Sequence, residues 1–313
     1  MMVKPLLVAV GFTGLAIVLL GPVPSVLAKA AWTERGPKAA LVLWQAVICT
    51  AGLSVVIAFL ALAVAPLAAT FRHGVHVFAV QALDGDPLRG LGTEEVAALA
   101  WALAVVGWLL GLLVRTATQN ARLRRRHRGQ IDLLGKRSDR HRGVYVLDHP
   151  AAVAYCLPGV RARVVITTGL IDLLDERELV AVLDHERAHA RGRHHLVLLP
   201  FDALAAAIPR LPAGRLARQC AVRLVEMLAD DHARSRHGGP RVAVALLRLV
   251  EHRADSGPLP AGALGATDHA VLARVRRLTE PVRPVPAWQR ALAYAGALTM
   301  VAAPMALLVP CLN

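Results

Sequence analysis

The chain has 313 residues, 56% of them hydrophobic, and a mean hydropathy of +0.49, which excludes an ordinary soluble protein of this size. Its net charge of +14 would indicate nucleic-acid binding in a soluble protein, but in a membrane protein it is typical of cytoplasmic loops near anionic headgroups. The four cysteines show no C-x-x-C spacing, which argues against a disulfide framework or a cysteine zinc site.

Four apolar stretches are long enough to cross a bilayer. They cover residues 5–28, 39–69, 96–114 and 291–309. The first has an alternative interpretation as a signal peptide, because Lys4 precedes it and Ala28-Lys-Ala30 is typical of a cleavage site. Its length and its internal Gly21-Pro22 favour a retained helix.

The distribution of basic residues predicts the orientation of the spans. Ten Lys and Arg lie between Arg115 and Arg142, against two Asp, and the loop after the first span is also basic. The positive-inside rule therefore places residues 116–285 in the cytoplasm and both termini outside, in a multi-pass protein of the plasma membrane. The Arg122–Arg128 run is expected to contact anionic headgroups, and no direct binding of nucleic acid is expected.

These patterns predict a membrane protein, mainly α, with an α+β domain inserted between the third and fourth transmembrane helices. The predicted domains are 1–115, 116–285 and 286–313. Within the second, Val144–Leu147 is predicted as a strand, residues 154–159 as turn-rich, and the β-branched segment Arg161–Thr168 as a strand that Gly169 ends.

The run His185-Glu-Arg-Ala-His189 is an H-E-x-x-H motif. Asp175 and Glu178 form a capping pair that predicts a helix through the motif, ending near Gly192. On a helix, residues four apart share one face, so both imidazoles can bind one Zn²⁺ ion. Glu186 is placed to act on a water molecule at that metal. The motif therefore predicts a zinc hydrolase.

A catalytic zinc site needs a third protein ligand. Glu226 is the leading candidate, because it lies in an apolar helical segment where an unpaired carboxylate would be costly. Asp230 lies on the same helical face and is expected to accept a hydrogen bond from a ligand imidazole. Asp230 or His232 as third ligand, and a merely solvated acidic face, are the alternatives.

Other residues have less definite assignments. His194 either orients a ligand imidazole or is simply solvated. His232 and His269 are candidates for stabilising an oxyanion, although a structural role is favoured for each, and Tyr155 is undecided. The apolar segment 195–209 is short and interrupted by proline, so it is predicted as a core or membrane-surface helix and not a fifth span. Further amphipathic helices are predicted around residues 243–248 and 271–278, with a loop near residue 255 between them.

Together, the H-E-x-x-H motif, Arg191-Gly-Arg-His-His195 and Glu226-x-x-x-Asp230 resemble the BlaR/MecR antirepressor membrane metallopeptidases, in their short actinobacterial form without a penicillin-binding sensor domain. The resemblance implies a gluzincin-type domain with His185, His189 and Glu226 on one zinc ion and Glu186 as general base. His194 departs from the relatives, which often have an acidic residue there.

The resemblance also implies that a peptide substrate adds as a strand along Val164, Val165, Ile166, Thr167 and Thr168. The implied substrate is a cytoplasmic protein, a BlaI-type repressor, cleaved in signal transduction. One alternative is an HtpX-like quality-control protease that cuts misfolded membrane proteins. A second is a membrane receptor or scaffold with a structural zinc site, and a membrane-tethered DNA-binding protein ranks last.

Overall fold

A computed structural model describes residues 4–159, 162–255, 268–281 and 284–309. This part of the chain is mainly helical, with one small sheet. Its internal contacts define two compact units. The first unit comprises Met1–Arg115, Pro200–Cys220 and Val285–Asn313, and the second comprises Thr116–Leu199 and Ala221–Pro284.

The helices and strands follow one another in this order: α1 (Pro5–Leu20), α2 (Pro22–Lys29), α3 (Trp32–Arg35), α4 (Pro37–Ala63), α5 (Phe71–Leu83), α6 (Thr93–Leu134), β1 (Lys136–Arg137), β2 (Val144–Leu147), β3 (Ala154–Leu157), β4 (Arg163–Thr167), α7 (Thr168–Leu173), α8 (Glu176–Arg191), α9 (His194–Val197), α10 (Leu199–Ala207), α11 (Pro212–His237), α12 (Gly239–Asp255), α13 (Asp268–Thr279) and α14 (Ala287–Leu308).

The four predicted apolar helices are confirmed as segments long and apolar enough to cross a membrane: Pro5–Lys29, Pro37–Ala63, Thr93–Leu134 and Ala287–Leu308. The second ends at Ala63, earlier than predicted, just before the helix-breaking Pro66. The third continues through the basic run to Leu134, because Arg and Leu are both good helix formers.

The apolar segment after the motif forms α9 and α10, a stretch shorter than a membrane span, as predicted. Its contacts group Pro200–Cys220 with the apolar helices, whereas the sequence-based division had assigned the whole of residues 116–285 to one domain. The apolar composition of α10 is consistent with that grouping.

The sheet has the strand order β1-β2-β4-β3. β2 is parallel to β4, whereas β1 and β3 are antiparallel to their neighbours. The predicted strand at Val144–Leu147 is confirmed, and the second predicted strand is confirmed as β4. The turn-rich interpretation of residues 154–159 is wrong for its first four residues, which form the edge strand β3.

The core of the second unit lies between one face of the sheet and α8. Alternate sheet residues Val144, Val164 and Ile166 pack with Leu179 and Leu183 of α8 in a single apolar cluster. Because successive strand residues point to opposite faces, Tyr145 and Val165 pack in a different cluster on the other face. The helix that carries the H-E-x-x-H motif is therefore fixed against the sheet by its own apolar residues.

In the first unit, α4 packs against both α1 and α14. Its buried positions are rich in alanine, and Ala40, Ala51 and Ala61 are almost fully buried. Small residues allow helix backbones to approach closely, which is how helices associate when the surrounding lipid is as apolar as they are.

In the first unit, a hydrogen bond between α4 and α14 compensates for a proline inside α14. Pro304 lies inside α14 and has no N–H, so the carbonyl of Met300, four residues earlier, lacks its intrahelical donor. The hydroxyl of Thr50, which is buried, donates to this Met300 oxygen at 3.0 Å. A buried carbonyl is thereby satisfied by the neighbouring helix.

Replacing Thr50 with Val should therefore lower the free energy of unfolding by about 1 kcal/mol, since the Met300 carbonyl loses its partner. Thr50→Ser keeps the hydroxyl and serves as the control. In a Pro304→Ala background the loss should shrink, because the introduced alanine has a backbone N–H that can donate to the same carbonyl. Unfolding in mixed micelles measures all four variants, and equal losses in both backgrounds would contradict the assignment.

Candidate metal centre

Helix α8 begins and ends where the sequence predicts. The Asp175 carboxylate accepts from the Glu178 N–H at 2.8 Å, and the Glu178 carboxylate accepts from the Asp175 N–H at 3.0 Å, so the predicted capping box is confirmed. The helix ends at Arg191, with Gly192 after it. Its last turns carry His185, Glu186 and His189.

The structure brings His185, His189 and Glu226 together. The Nε2 atoms of the two histidines are 3.2 Å apart. Glu226 lies on α11. Its Oε2 atom is 3.6 Å from Nε2 of His185, and its Oε1 atom is 3.5 Å from Nε2 of His189. In the described part of the chain, this is the one cluster of three or more such side chains that could hold a metal ion.

The spacing of these ligand atoms fits zinc. Four ligands at the bond lengths of tetrahedral zinc lie roughly 3.3–3.4 Å from one another, close to the three separations found here. Two imidazoles and one carboxylate are also a ligand set that zinc favours, whereas magnesium and calcium prefer oxygen. The described cluster provides three ligands, which matches a catalytic site with a position left for water better than a closed structural site.

Asp230 lies where the sequence predicts, one turn beyond Glu226. Its buried carboxylate is 3.0 Å from Nδ1 of His185, which leaves Nε2 of this imidazole for a metal. The guanidinium of Arg274, on α13, donates twice to Asp230, at 2.7 Å each. It also lies 3.1 Å from Glu226. Arg274 therefore holds the carboxylates of Glu226 and Asp230 in place.

His194 contacts the second ligand histidine. Its Nδ1 is 3.0 Å from Nδ1 of His189, so one of the two must donate and the other accept. If His189 uses Nε2 for the metal, its Nδ1–H donates and His194 carries its own proton on Nε2. A Cβ at Gly192 would overlap Nε2 of His194, so a larger residue there would displace the His194 ring.

A second polar contact, formed by Asp184, joins α8 to α11. Asp184 is buried, and its carboxylate accepts from Nε2 of His237 at 2.9 Å and from Arg187 at 3.2 Å. This pairing fixes the helix of the two histidines to the helix of Glu226 and Asp230.

Burial and neighbouring charges set the pKa values of the candidate ligands. Burial alone would lower the pKa of His185, but the carboxylates of Asp230 and Glu226 raise it to about 10. Burial alone would raise the pKa of Glu226, but His185 and Arg274 lower it to about 2. Burial lowers the pKa of His189 to about 4. Metal binding must therefore displace a proton from His185, whereas His189 and Glu226 are already in their binding forms at neutral pH.

Glu186 follows the first ligand and faces β3. Burial, opposed by the charge of His185, raises the pKa of Glu186 to about 7, and the backbone N–H of Cys156 donates to its carboxylate. A carboxylate with a pKa near neutrality can both accept and return a proton, which is what general acid–base catalysis requires. The Cys156 thiol is nearby, and burial together with Glu186 raises its pKa to about 12.

The predicted substrate strand is wrong, because β4 lies inside the sheet. Val164, Val165, Ile166 and Thr167 pair with β2 on one side, and residues of β4 pair with β3 on the other, so a peptide has no free edge to join. Thr168 begins α7. The sequence could not show this, because it gave no indication that residues 154–157 form a strand.

The edge strand beside the motif helix is β3. The Thr167 N–H donates to the Val153 carbonyl, and backbone groups alternate in direction along an antiparallel pair. The N–H and C=O of Ala154 and Cys156 therefore point away from β4, toward the free edge. The Cys156 N–H at Glu186 agrees with this direction.

The remaining candidates lie elsewhere. His232 contacts Arg191 and is not part of the ligand cluster. The hydroxyl of Tyr155 is hydrogen-bonded to Nε2 of His127 at 2.7 Å, and the Tyr155 ring packs on the sheet face opposite to α8. The side chain of His269 lies outside the described residues, as does most of the loop predicted after residue 255.

Arg274 is the residue at the site that the sequence interpretation missed. It lies on the helical stripe of Val271, Val275 and Leu278, and two of these, Val271 and Leu278, are buried. A charge on an apolar stripe is the available signal, since a buried cation needs a partner. The partner itself could not be found from sequence, because Asp230 is 44 positions away.

An H-E-x-x-H helix joined by a glutamate from a second helix defines a metallopeptidase. The profile of peptidase family M48 matches residues 117–278, which is more than half of the chain, and the chain belongs to this family of zinc metallopeptidases. A "Protease HtpX homolog" of Acidiphilium cryptum (strain JF-5) is 42% identical over 67 residues, which are 21% of this chain and 23% of that protein. No solved structure matches this chain.

These comparisons correct the sequence-based assignment in part. A membrane metallopeptidase is supported by the family, the HtpX homolog and the apolar helices. The BlaR/MecR type specifically has no support among them.

Replacing Arg274 with Gln should weaken zinc binding about 10–100-fold, because Asp230 and Glu226 lose the charge that holds them. Arg277→Gln is the matched control: it breaks an equivalent double hydrogen bond from α13, to Asp231, without touching the ligand cluster. Competition with a chromogenic chelator measures both. Equal losses in the two variants would show that Arg274 only secures the helix.

Proposed function

We propose that this protein is an integral-membrane zinc endopeptidase with His185, His189 and Glu226 as metal ligands and Glu186 as general base. The observation that carries the proposal is the trio of ligand atoms 3.2–3.6 Å apart, on a helix that also presents Glu186. Membership of family M48 and the apolar helices support the same assignment.

The chain's own residues divide the chemistry among them. When bound, zinc supplies Lewis acidity that lowers the pKa of water and polarises a carbonyl oxygen. Glu186 accepts the proton of the attacking water and returns it to the amine that leaves, for which its pKa of about 7 is suited. Asp230 holds His185 in the required tautomer, and His194 does so for His189.

The substrate segment is proposed to bind in an extended conformation along β3. The outward N–H and C=O of Ala154 and the C=O of Cys156 can pair with an added strand, whereas the Cys156 N–H donates to Glu186, the proposed base. This replaces the expectation of pairing along Val164–Thr168.

The peptidase domain is proposed to lie on the cytoplasmic side of the plasma membrane, with both termini outside. The excess of Lys and Arg between Arg115 and Arg142 supports this orientation. Within the Arg122–Arg128 run, the exposed Arg122, Arg125 and Arg126 are the ones suited to anionic headgroups, whereas Arg128 donates to the Leu157 carbonyl.

Two substrate classes follow from the sequence: one cytoplasmic repressor of the BlaI type, or damaged membrane proteins as for HtpX. The local identity with an HtpX homolog favours the second. The repressor rests on the sequence resemblance alone. We therefore propose membrane proteins with extended segments at the cytoplasmic surface as the substrates.

Glu186→Gln should reduce peptide hydrolysis about 10²–10⁴-fold while zinc content stays near one ion per chain, because the amide cannot accept the proton and position 186 is not a ligand. Glu176→Gln, in the exposed first turn of the same helix, is the control and should keep full activity. Hydrolysis of a fluorogenic peptide and metal analysis give the readouts. Full hydrolysis by the Glu186→Gln variant would show that Glu186 is not the general base. Bound zinc without hydrolysis in the wild type would indicate a structural site.

The same pair of proteins separates the substrate classes. New N-termini are compared by proteomics between cells with the wild-type protein and cells with the Glu186→Gln variant. Many cleaved membrane proteins support the proposal. A single cleaved cytoplasmic repressor would replace it with the signalling function.

Binding as an added strand predicts an alternating response to backbone methylation. A cleaved peptide is resynthesised with one N-methyl group at successive positions. Methylation at every second residue should lower kcat/KM about fivefold or more, since only those N–H groups face β3. A response without alternation contradicts strand addition. The enzyme is the same in every assay, so differences in its stability cannot cause the response.

A further inference from the structure

The first apolar span is interrupted by its Gly21-Pro22 pair. Gly21 has φ −101° and ψ −96°, which is not helical, and it separates α1 from α2. Before this break, Leu19 packs with Val47 and Ala51 of α4 in an apolar cluster that Val23 and Met300 also contact. Beyond it, the chain leaves space between helices.

That space, here called the cavity, is a pocket of ≈ 320 Å³ that is more open than enclosed. Val23 and Leu27 of α2, Leu43 and Val47 of α4, Met300 of α14 and Trp32 contribute to its wall. Every residue that lines it in the described part of the chain is apolar. A cavity of this kind has no partners for water and is suited to a hydrocarbon group, at the small end of ligand-site volumes.

Exposed basic residues surround the same end of the span. Lys29 precedes Ala30, which lines the cavity, and Arg35 and Lys38 follow Trp32. Lys38 is in the first turn of α4, about 8 Å along the helix axis from Leu43. Glu34 is the one acidic residue between Lys29 and Lys38, so this segment carries a net positive charge.

We propose that this cavity holds one acyl chain of an anionic phospholipid whose headgroup lies against Lys29, Arg35 and Lys38. The apolar wall provides the site for the chain, and the basic residues select the charge of the headgroup. Trp32, which lines the cavity, is of a residue type enriched at membrane–water interfaces. This site does not depend on the proposed peptidase activity.

The test uses the full-length protein in detergent, titrated with phosphatidylglycerol or phosphatidylcholine that carry the same acyl chains. Native mass spectrometry counts the lipids retained. The wild type should retain one phosphatidylglycerol at a concentration at least tenfold lower than phosphatidylcholine, since each basic residue contributes roughly fivefold. Equal retention of the two lipids would overturn the proposal.

Two variants separate the chain from the headgroup. Val23→Trp fills the cavity and should abolish the retained lipid, whereas Val18→Trp, on an exposed position of α1, should not. Replacing Lys29, Arg35 and Lys38 together with Gln should remove the preference for phosphatidylglycerol and leave the weaker binding of phosphatidylcholine. Undiminished binding in a folded Val23→Trp variant, or an undiminished preference without the three charges, would overturn the site. Glu186→Gln should bind lipid like the wild type.

Discussion

The buried chain of hydrogen bonds from Arg274 to Asp230 to His185 is the interaction on which the metal centre depends. Two carboxylates on one helical face, Glu226 and Asp230, cannot be buried together without a cation, and Arg274 contacts both. The arginine thereby joins α13 to α11, and Asp230 joins α11 to α8. The charges of Arg274 and Asp230 thus hold α8, α11 and α13 in one arrangement, and the same charges orient His185.

The elements that depend on residues close together in the sequence were predicted well. The capping box of Asp175 and Glu178, the helix through His189 and the strand at Val144–Leu147 each depend on neighbours along the chain, and all were found. The spacing of Glu226 and Asp230 places them on one helical face before any partner is known, and the structure brings both to His185.

What the sequence could not give is pairing between distant segments. β3 escaped notice because Pro158 and Gly159 mark a turn directly after a four-residue strand. Without β3, β4 looked like an edge, and the substrate was expected on the wrong strand. Arg274 was missed for a related reason: its meaning depends on Asp230, which only the fold brings near. The family assignment likewise came from comparison of the whole domain.

The shortness of β3 has a consequence for selectivity. With two residues whose backbone faces outward, Ala154 and Cys156, an added segment gains few main-chain hydrogen bonds. In the proposed binding mode, affinity for any single sequence would be low, and selection would depend on whether a segment can unfold and reach the membrane surface. An enzyme of that kind would respond to the conformational state of its substrate more than to its sequence, because stably folded proteins offer no loose strand.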